Sequence, residues 1–181
     1  MPVRAFKEKI MLLKTYGDNV AFDRALSEIE TNYASNEELM LLRANELFAK
    51  EKISEAEQAL LAFVQKFPHN SQAYILLGNI YGRRNANAEA IMAFNKALAI
   101  HPFNVQARMG RAIANAQAGS LDDALSDLDK VLQEEPQNTD AWFNRAIIYF
   151  NRNDRVWLVS ICRRLLNWDI NRQHRWLPES V

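Results

Sequence analysis

The sequence repeats itself every 34 residues, and this period limits the folds open to the chain more than any other feature. Proline recurs at Pro68, Pro102 and Pro136, and asparagine follows each proline two residues later. Cutting the chain after these asparagines gives the blocks 37–70, 71–104, 105–138 and 139–172. A fixed period of about 20–50 residues is the signature of a stack of similar units, each burying its apolar face against the next.

Each block predicts two helices joined by a short turn. In block 71–104 apolar residues recur at the i, i+3, i+4, i+7 spacing of a helix face: Tyr74, Leu77, Tyr81, then Ile91, Phe94 and Leu98. We expect the first helix over about 71–84 and the second over about 88–100. The proline at each block end stops the second helix, because proline lacks the backbone N–H and clashes with the preceding turn.

Small residues recur at matching places in the two helices of a block. They pair as Gly78 with Ala90, Ala112 with Ala124, and Ala44 with Ala56. Two helices cross closely only where neither carries a bulky side chain, so we expect the helices of each block to approach at these pairs.

The run Leu77-Gly78-Asn79-Ile80-Tyr81, followed by Ala90, Phe94, Ala97 and Pro102, resembles the tetratricopeptide repeat. The resemblance covers about residues 37–150. It implies an all-α, right-handed superhelical solenoid of antiparallel helix pairs with about four to five repeats.

The ends of the chain depart from this pattern, as terminal repeats commonly do. Residues 1–36 place Ile10 and Phe22 at the small positions and are interpreted as a degenerate repeat or an N-terminal cap. Residues 37–153 hold the repeats 37–70, 71–104 and 105–138 and the first helix of 139–172. Residues 154–181 are interpreted as an atypical C-terminal capping helix and an Arg/Trp-rich tail.

The resemblance implies a non-enzymatic protein–protein interaction module, an adaptor, scaffold or chaperone-like protein. Such a module would hold a peptide or an amphipathic helix in the concave, largely apolar groove lined by its first helices. An exposed apolar stripe marks a binding surface, and asparagine side chains can bond both the N–H and the C=O of a peptide. By family geometry the expected groove residues are Leu41, Leu42, Asn45, Phe48, Ile75, Leu76, Asn79, Arg83, Met109, Ile113, Gln117, Phe143, Asn144, Ile147 and Phe150.

One well-known subclass binds the C-terminal carboxylate of heat-shock proteins through Lys, Arg and Asn on three successive first helices. Here the corresponding positions keep only asparagines, because the cationic positions hold Leu41, Leu76 and Gln106 or, one block on, Ile75, Gly110 and Asp140. We therefore predict that no carboxylate clamp is present.

Two further features leave alternatives open. Arg43, Arg111 and Arg145 recur at one position, and they form either an anion-binding ladder or ion pairs with nearby carboxylates. The tail carries Trp157, Trp168 and Trp176 among arginines. Because Trp and Arg are favoured at interface hot spots, the alternative function is a self-assembling scaffold, a homo-oligomer formed through this end.

Composition and motifs give no indication of nucleic-acid binding, metal binding, catalysis or membrane insertion. Lys plus Arg equals Asp plus Glu, at 22 each, which gives no general reason to expect nucleic acid. The single Cys162 and the scattered His69, His101 and His174 make no metal motif, and no catalytic or cofactor motif is visible. No apolar run approaches the roughly 18 residues of a membrane span, and the first residues do not resemble a signal peptide, so we expect a cytoplasmic protein without membrane insertion.

Overall fold

The structure, a computed structural model, describes residues 2–152, and within them the chain forms nine α-helices and no strands. Each helix packs against the next in sequence, and α5 also contacts α7, as α7 contacts α9. The predicted all-α solenoid of helix pairs is therefore confirmed over this part of the chain. The helices are α1 Val3–Tyr16, α2 Asn19–Asn32, α3 Glu37–Ala49, α4 Ile53–Lys66, α5 Ser71–Arg83, α6 Asn87–Ile100, α7 Val105–Gln117, α8 Leu121–Glu134 and α9 Thr139–Asn151.

An asparagine begins the first helix of every pair from α3 onward. The side-chain oxygen of each accepts the backbone N–H three residues on, at 2.8–3.0 Å. This N-cap satisfies one of the N–H groups that an α-helix leaves without an intrahelical partner. The 34-residue spacing of asparagine thus has a local cause. The capping residues are Asn36, Asn70, Asn104 and Asn138.

The turn inside each pair is set by one residue with a left-handed backbone. These residues are Gly17, Glu51, Asn85 and Gly119, with φ between 56° and 85°, and they again recur every 34 residues. Glycine adopts this conformation without steric cost, whereas glutamate does not. The tight turn reverses the chain, so that the two helices of a pair lie side by side.

The core consists of three clusters of buried side chains arranged along the stack. One joins α1, α2 and the start of α3, one runs from α3 to α7, and one joins α7, α8 and α9. In the first cluster Ile10 and Phe22, at the positions where later repeats carry small residues, are fully buried. The first helix pair therefore packs through large side chains.

The ring of Phe94 is the nearest neighbour of a side chain added at Gly78. A methyl group added at Gly78 would lie 2.6 Å from ring atoms of Phe94, and one added at Gly110 would overlap the same ring. Phe94 of α6 thus inserts its ring between α5 and α7. The aromatic ring of Phe94 therefore leaves no room for a side chain at position 78.

The tail and the predictions made for it lie outside the described residues. These predictions concern the capping helix, Cys162, His174 and the oligomer contacts Trp157, Trp168 and Trp176. They stay predictions from the sequence.

Candidate binding groove

Two adjoining depressions open on the face made by the first helices of successive pairs. The first depression, of about 320 Å³, lies between α3, α5 and α7 with Phe94 of α6 beneath. The second depression, of about 290 Å³, lies between α7 and α9 with Leu128 of α8 beneath. Ile113 and Gln117 line both, so the two depressions lie side by side, and together they are called the groove.

The structure brings part of the predicted groove set together. Both ends of the groove mix apolar side chains with amide groups, which suits a ligand that offers apolar side chains and backbone polar groups. Around the first depression lie Phe48, Asn79, Arg83, Ile113 and Gln117. Around the second lie Ile113, Gln117, Asn144 and Ile147.

Other members of the predicted set are not on the groove surface. Ile75 is fully buried and Leu76 is 6% exposed, so the prediction of a surface position is wrong for both. Both side chains belong to the buried core cluster that runs from α3 to α7. Leu41, Leu42 and Met109 are half-buried and pack against the core clusters.

The remaining predicted residues flank the two depressions without lining them. Asn45 is half-buried on α3. Phe143 and Phe150 of α9 are 63% and 68% exposed, which is unusual for phenylalanine in a folded domain. Together with Ile113 and Ile147 they leave a largely apolar face on α7 and α9.

Glycines shape the first depression, and the sequence argument missed this role. Gly78 and Gly82 on α5 and Gly110 on α7 all line it. The signal was present in the repeat register: where the neighbouring blocks carry Leu60 and Leu128, this block carries Phe94, and the glycines at 78 and 110 accompany the larger ring.

One charged side chain, Arg83, lines the two depressions within the described residues. Its guanidinium lies over the ring of Phe48, 4.5 Å from the ring centroid. Its Nη1 also lies 3.3 Å from Oε1 of Glu51, and both side chains of this ion pair are at least half exposed. Such exposed pairs contribute little to stability, which leaves the Arg83 charge available to a ligand.

The recurrent arginines are ion-paired, which confirms the second of the two readings. Arg43 pairs with Glu30, and Arg145 with Asp129. Arg111 binds Asp127 through two parallel hydrogen bonds, from Nε at 2.7 Å and from Nη2 at 2.6 Å. Hydrogen bonding to Asp127 raises the pKa of the Arg111 guanidinium above its ordinary value.

Other sequence expectations concern histidines, metals and membranes. His69 and His101 are exposed at the loops between pairs. Among residues 2–152 no group of three or more His, Cys, Asp and Glu side chains could hold a metal ion. The helices of the same region are all too short or too polar to cross a bilayer.

The family model for the tetratricopeptide repeat matches residues 41–105, 89–138 and 109–155. Among curated proteins, the chain is similar to the CTR9 homolog of Arabidopsis thaliana, with 29% identity over 111 residues. That match covers 61% of this chain and only 10% of the relative, so the chain spans about a tenth of that protein's length.

Solved structures of the same architecture extend the likeness over nearly the whole chain. MamA superposes with a TM-score of 0.86 and 18% identity, covering 98% of this chain and 97% of MamA. YrrB, a repeat protein described as having an unusual peptide-binding site, gives 0.73 and 19% over 90% of this chain and 84% of YrrB. The first repeat domain of Spaghetti (RPAP3), bound to the HSP90 peptide SRMEEVD, gives 0.64 and 22% over 67% and 96%. At such identities the likeness establishes the fold.

Proposed function

The chain belongs to the tetratricopeptide repeat family, and we propose that it is a non-enzymatic interaction module that holds a peptide or an amphipathic helix of a partner protein in the groove. Neighbours of the same fold support this reading, because two repeat domains of RPAP3 are solved with peptides of HSP90 and HSP70. The fold alone does not determine a ligand, so the proposal depends on the groove itself.

The observation that carries the proposal is the exposed apolar face beside the second depression. Ile113, Ile147, Phe143 and Phe150 are each more than 40% exposed on adjacent first helices. Clustered exposed apolar side chains on a soluble protein mark an interaction surface. Asn144 and Gln117 stand next to them and can bond the backbone of an extended peptide. A partner's apolar side chains would gain about 25 cal/mol for each Å² buried there.

The proposal is tested by a photo-reactive amino acid placed at Ile113 in the groove and, as a control, at Met92. Met92 is exposed on α6 and lines neither depression. We expect a partner to cross-link at position 113 and not at position 92. The captured segment is then made as a labelled peptide, and its affinity is measured for wild type, Ile113→Glu and Met92→Glu.

The glutamate at position 113 places a charge where the ligand buries apolar surface, which costs several kcal/mol unless the charge is paired. We therefore expect Ile113→Glu to weaken the peptide by at least about 10-fold and Met92→Glu to leave the affinity unchanged. Equal cross-linking at both positions, or equal affinities of the two variants, would overturn the proposed function.

The absence of a carboxylate clamp is tested with the peptide SRMEEVD, which the Spaghetti (RPAP3) domain binds. A clamp needs cations on three successive helices to neutralise the carboxylates, and Arg83 is the one cation lining the groove in residues 2–152. We expect no submicromolar binding in fluorescence anisotropy, with the RPAP3 domain as positive control. Submicromolar affinity that falls with added salt would show that this prediction is wrong.

A further inference from the structure

Gly82 is a glycine that the fold does not require. It lies in the last turn of α5 with an ordinary helical backbone, and a side chain added there would meet nothing within 4 Å. Gly17 and Gly119 are needed for left-handed turns, and Gly78 and Gly110 make room for Phe94. Glycine in a helix lowers stability relative to alanine. A residue that breaks a local rule without structural compensation points to a functional position.

The other repeats carry larger side chains at the position equivalent to Gly82. At the same position the neighbouring pairs carry Phe48, Ala116 and Phe150. A phenylalanine at 82 would project into the first depression, whose space is open at this point. Compared with the pairs that carry Phe48 and Phe150, the depression therefore lacks an aromatic side chain, while α1 carries Lys14 and α7 carries Ala116 at this position. It is bounded by two aromatic rings, Phe48 on one side and Phe94 beneath.

We propose that the first depression is a subsite for one aromatic side chain of the bound peptide, with a neighbouring carboxylate of that peptide on Arg83. This inference rests on the proposed function and specifies the partner: a segment in which an aromatic residue stands within about three positions of Asp or Glu. The volume of about 320 Å³ is at the lower end of ligand pockets, which fits one side chain better than a whole helix. Aromatic rings also favour offset or edge-on packing against other rings, and the partly exposed Phe48 at the side of the depression offers such a surface, whereas the buried Phe94 forms its floor.

The acidic residue of the proposed peptide segment is inferred from its charge complementarity to Arg83. Arg83 is held over Phe48 by the cation–π contact, so its guanidinium stays at the edge of the depression. Its present partner Glu51 is 79% exposed at the side chain and bonded at 3.3 Å. A peptide carboxylate can replace so exposed a partner at small cost, and it gains a charge-assisted hydrogen bond. Asn79 and Gln117, which also line the depression, can bond the peptide backbone.

The test uses the full chain labelled with ¹⁵N and the synthetic probe acetyl-Trp-Ala-Ala-Glu-amide. The sequence contains only five glycines, whose amide signals fall in a separate spectral region. We expect the probe to shift the amide signals of Gly78, Gly82 and Gly110 saturably, with a Kd in the millimolar range. Such a Kd corresponds to a binding free energy of about 4 kcal/mol, as expected for one subsite. Gly17 and Gly119 in the turns serve as internal controls and should not move.

Matched variants distinguish the effect of filling the depression from the effect of removing the Arg83 charge. Gly82→Leu places a side chain at a position where a Cβ meets nothing within 4 Å, and we expect it to weaken the probe at least about 10-fold, with Gly82→Ala intermediate. Arg83→Gln should weaken the glutamate probe several-fold and leave a probe with glutamine in place of glutamate unchanged. Replacing the probe's tryptophan by leucine should remove the shifts at the three glycines.

The outcomes distinguish this inference from the proposed function. If tryptophan and leucine probes both shift Ile113 and Ile147 while the three glycines stay still, the groove binds peptides but the aromatic subsite is refuted. Shifts absent from the whole groove would overturn both. Glycine shifts that appear only in a Trp176→Ala chain would identify the protein's own segment as the occupant and overturn the assignment to a partner.

Discussion

Replacing Phe94 with alanine is expected to lower the free energy of unfolding by about 3–5 kcal/mol, the usual cost of removing a buried phenylalanine ring. Phe94 is 2% exposed, and its ring lies between α5 and α7 at Gly78 and Gly110. The variant loses both the burial of the ring and the contacts that join two successive helix pairs. The midpoint of urea unfolding, followed by far-ultraviolet circular dichroism, measures the change.

A related prediction concerns Gly110→Ala, whose effect on the free energy of unfolding should change sign when Phe94 is replaced by alanine. In the wild type, Gly110→Ala overlaps the Phe94 ring, and overpacking of about 1–3 kcal/mol outweighs the gain of about 1 kcal/mol from helix propensity. In the Phe94→Ala background the added methyl group instead fills part of the cavity. Gly110→Ala is therefore expected to destabilise the wild type and to stabilise Phe94→Ala.

Gly82→Ala is the matched control for this cycle, because a side chain there meets nothing within 4 Å. It should raise the stability by up to about 1 kcal/mol in both backgrounds, since only helix propensity changes. Additive effects of Gly110→Ala and Phe94→Ala would mean that the ring does not occupy the space between these helices.

The repeat period predicted the helices closely because it combines two local causes. The predicted helices 71–84 and 88–100 compare with Ser71–Arg83 and Asn87–Ile100 in the structure. The asparagine caps and the left-handed turn residues stand at fixed places in every block, and both act through hydrogen bonds and torsion angles of neighbouring residues. Elements fixed by such local interactions can be read from one sequence.

The groove surface was predicted less well, because exposure depends on neighbours that the period does not specify. Leu41, Ile75, Met109 and Phe143 occupy one position of the first helices. Yet Ile75 is fully buried, Phe143 is 63% exposed, and the other two lie between. The residue type follows the repeat, whereas its exposure follows the packing of the helices on either side.

The role of Phe94 was missed for a similar reason. Small residues were compared within one block, where Gly78 matches Ala90. The contact that matters comes from Phe94, and it also reaches Gly110 in the next block. A comparison across blocks, in which phenylalanine replaces Leu60 and Leu128 where glycines appear on both sides, would have indicated the inserted ring.

The second large effect on the free energy of unfolding is expected from breaking the buried ion pair between Arg111 and Asp127. Asp127 is 3% exposed on α8 and binds Arg111 of α7 through two hydrogen bonds. Arg111 also donates to the side-chain oxygen of Asn95 on α6 at 2.6 Å, so three helices meet at its guanidinium. Asp127→Ala leaves a partly buried cation without its carboxylate, which is expected to cost about 3–5 kcal/mol.

Asp122→Ala on the same helix is the matched control, because Asp122 pairs with Arg152 at 2.6 Å and the two side chains are 89% and 41% exposed. An exposed pair contributes about 0–1 kcal/mol, so this variant should unfold within about 1 kcal/mol of the wild type. Similar losses for Asp127→Ala and Asp122→Ala would show that burial does not set the strength of the Asp127 pair.

The preceding repeat already contains the apolar version of this pair. Its equivalent positions hold Leu77 and Ala93, both buried in the core. The double variant Arg111→Leu with Asp127→Ala copies that arrangement and removes both charges, so no buried group is left unpaired. We expect it to recover most of the stability lost by Asp127→Ala in the same urea titration. A double variant as unstable as Asp127→Ala would mean that the loss comes from the missing packing of the aspartate and not from the stranded charge of Arg111.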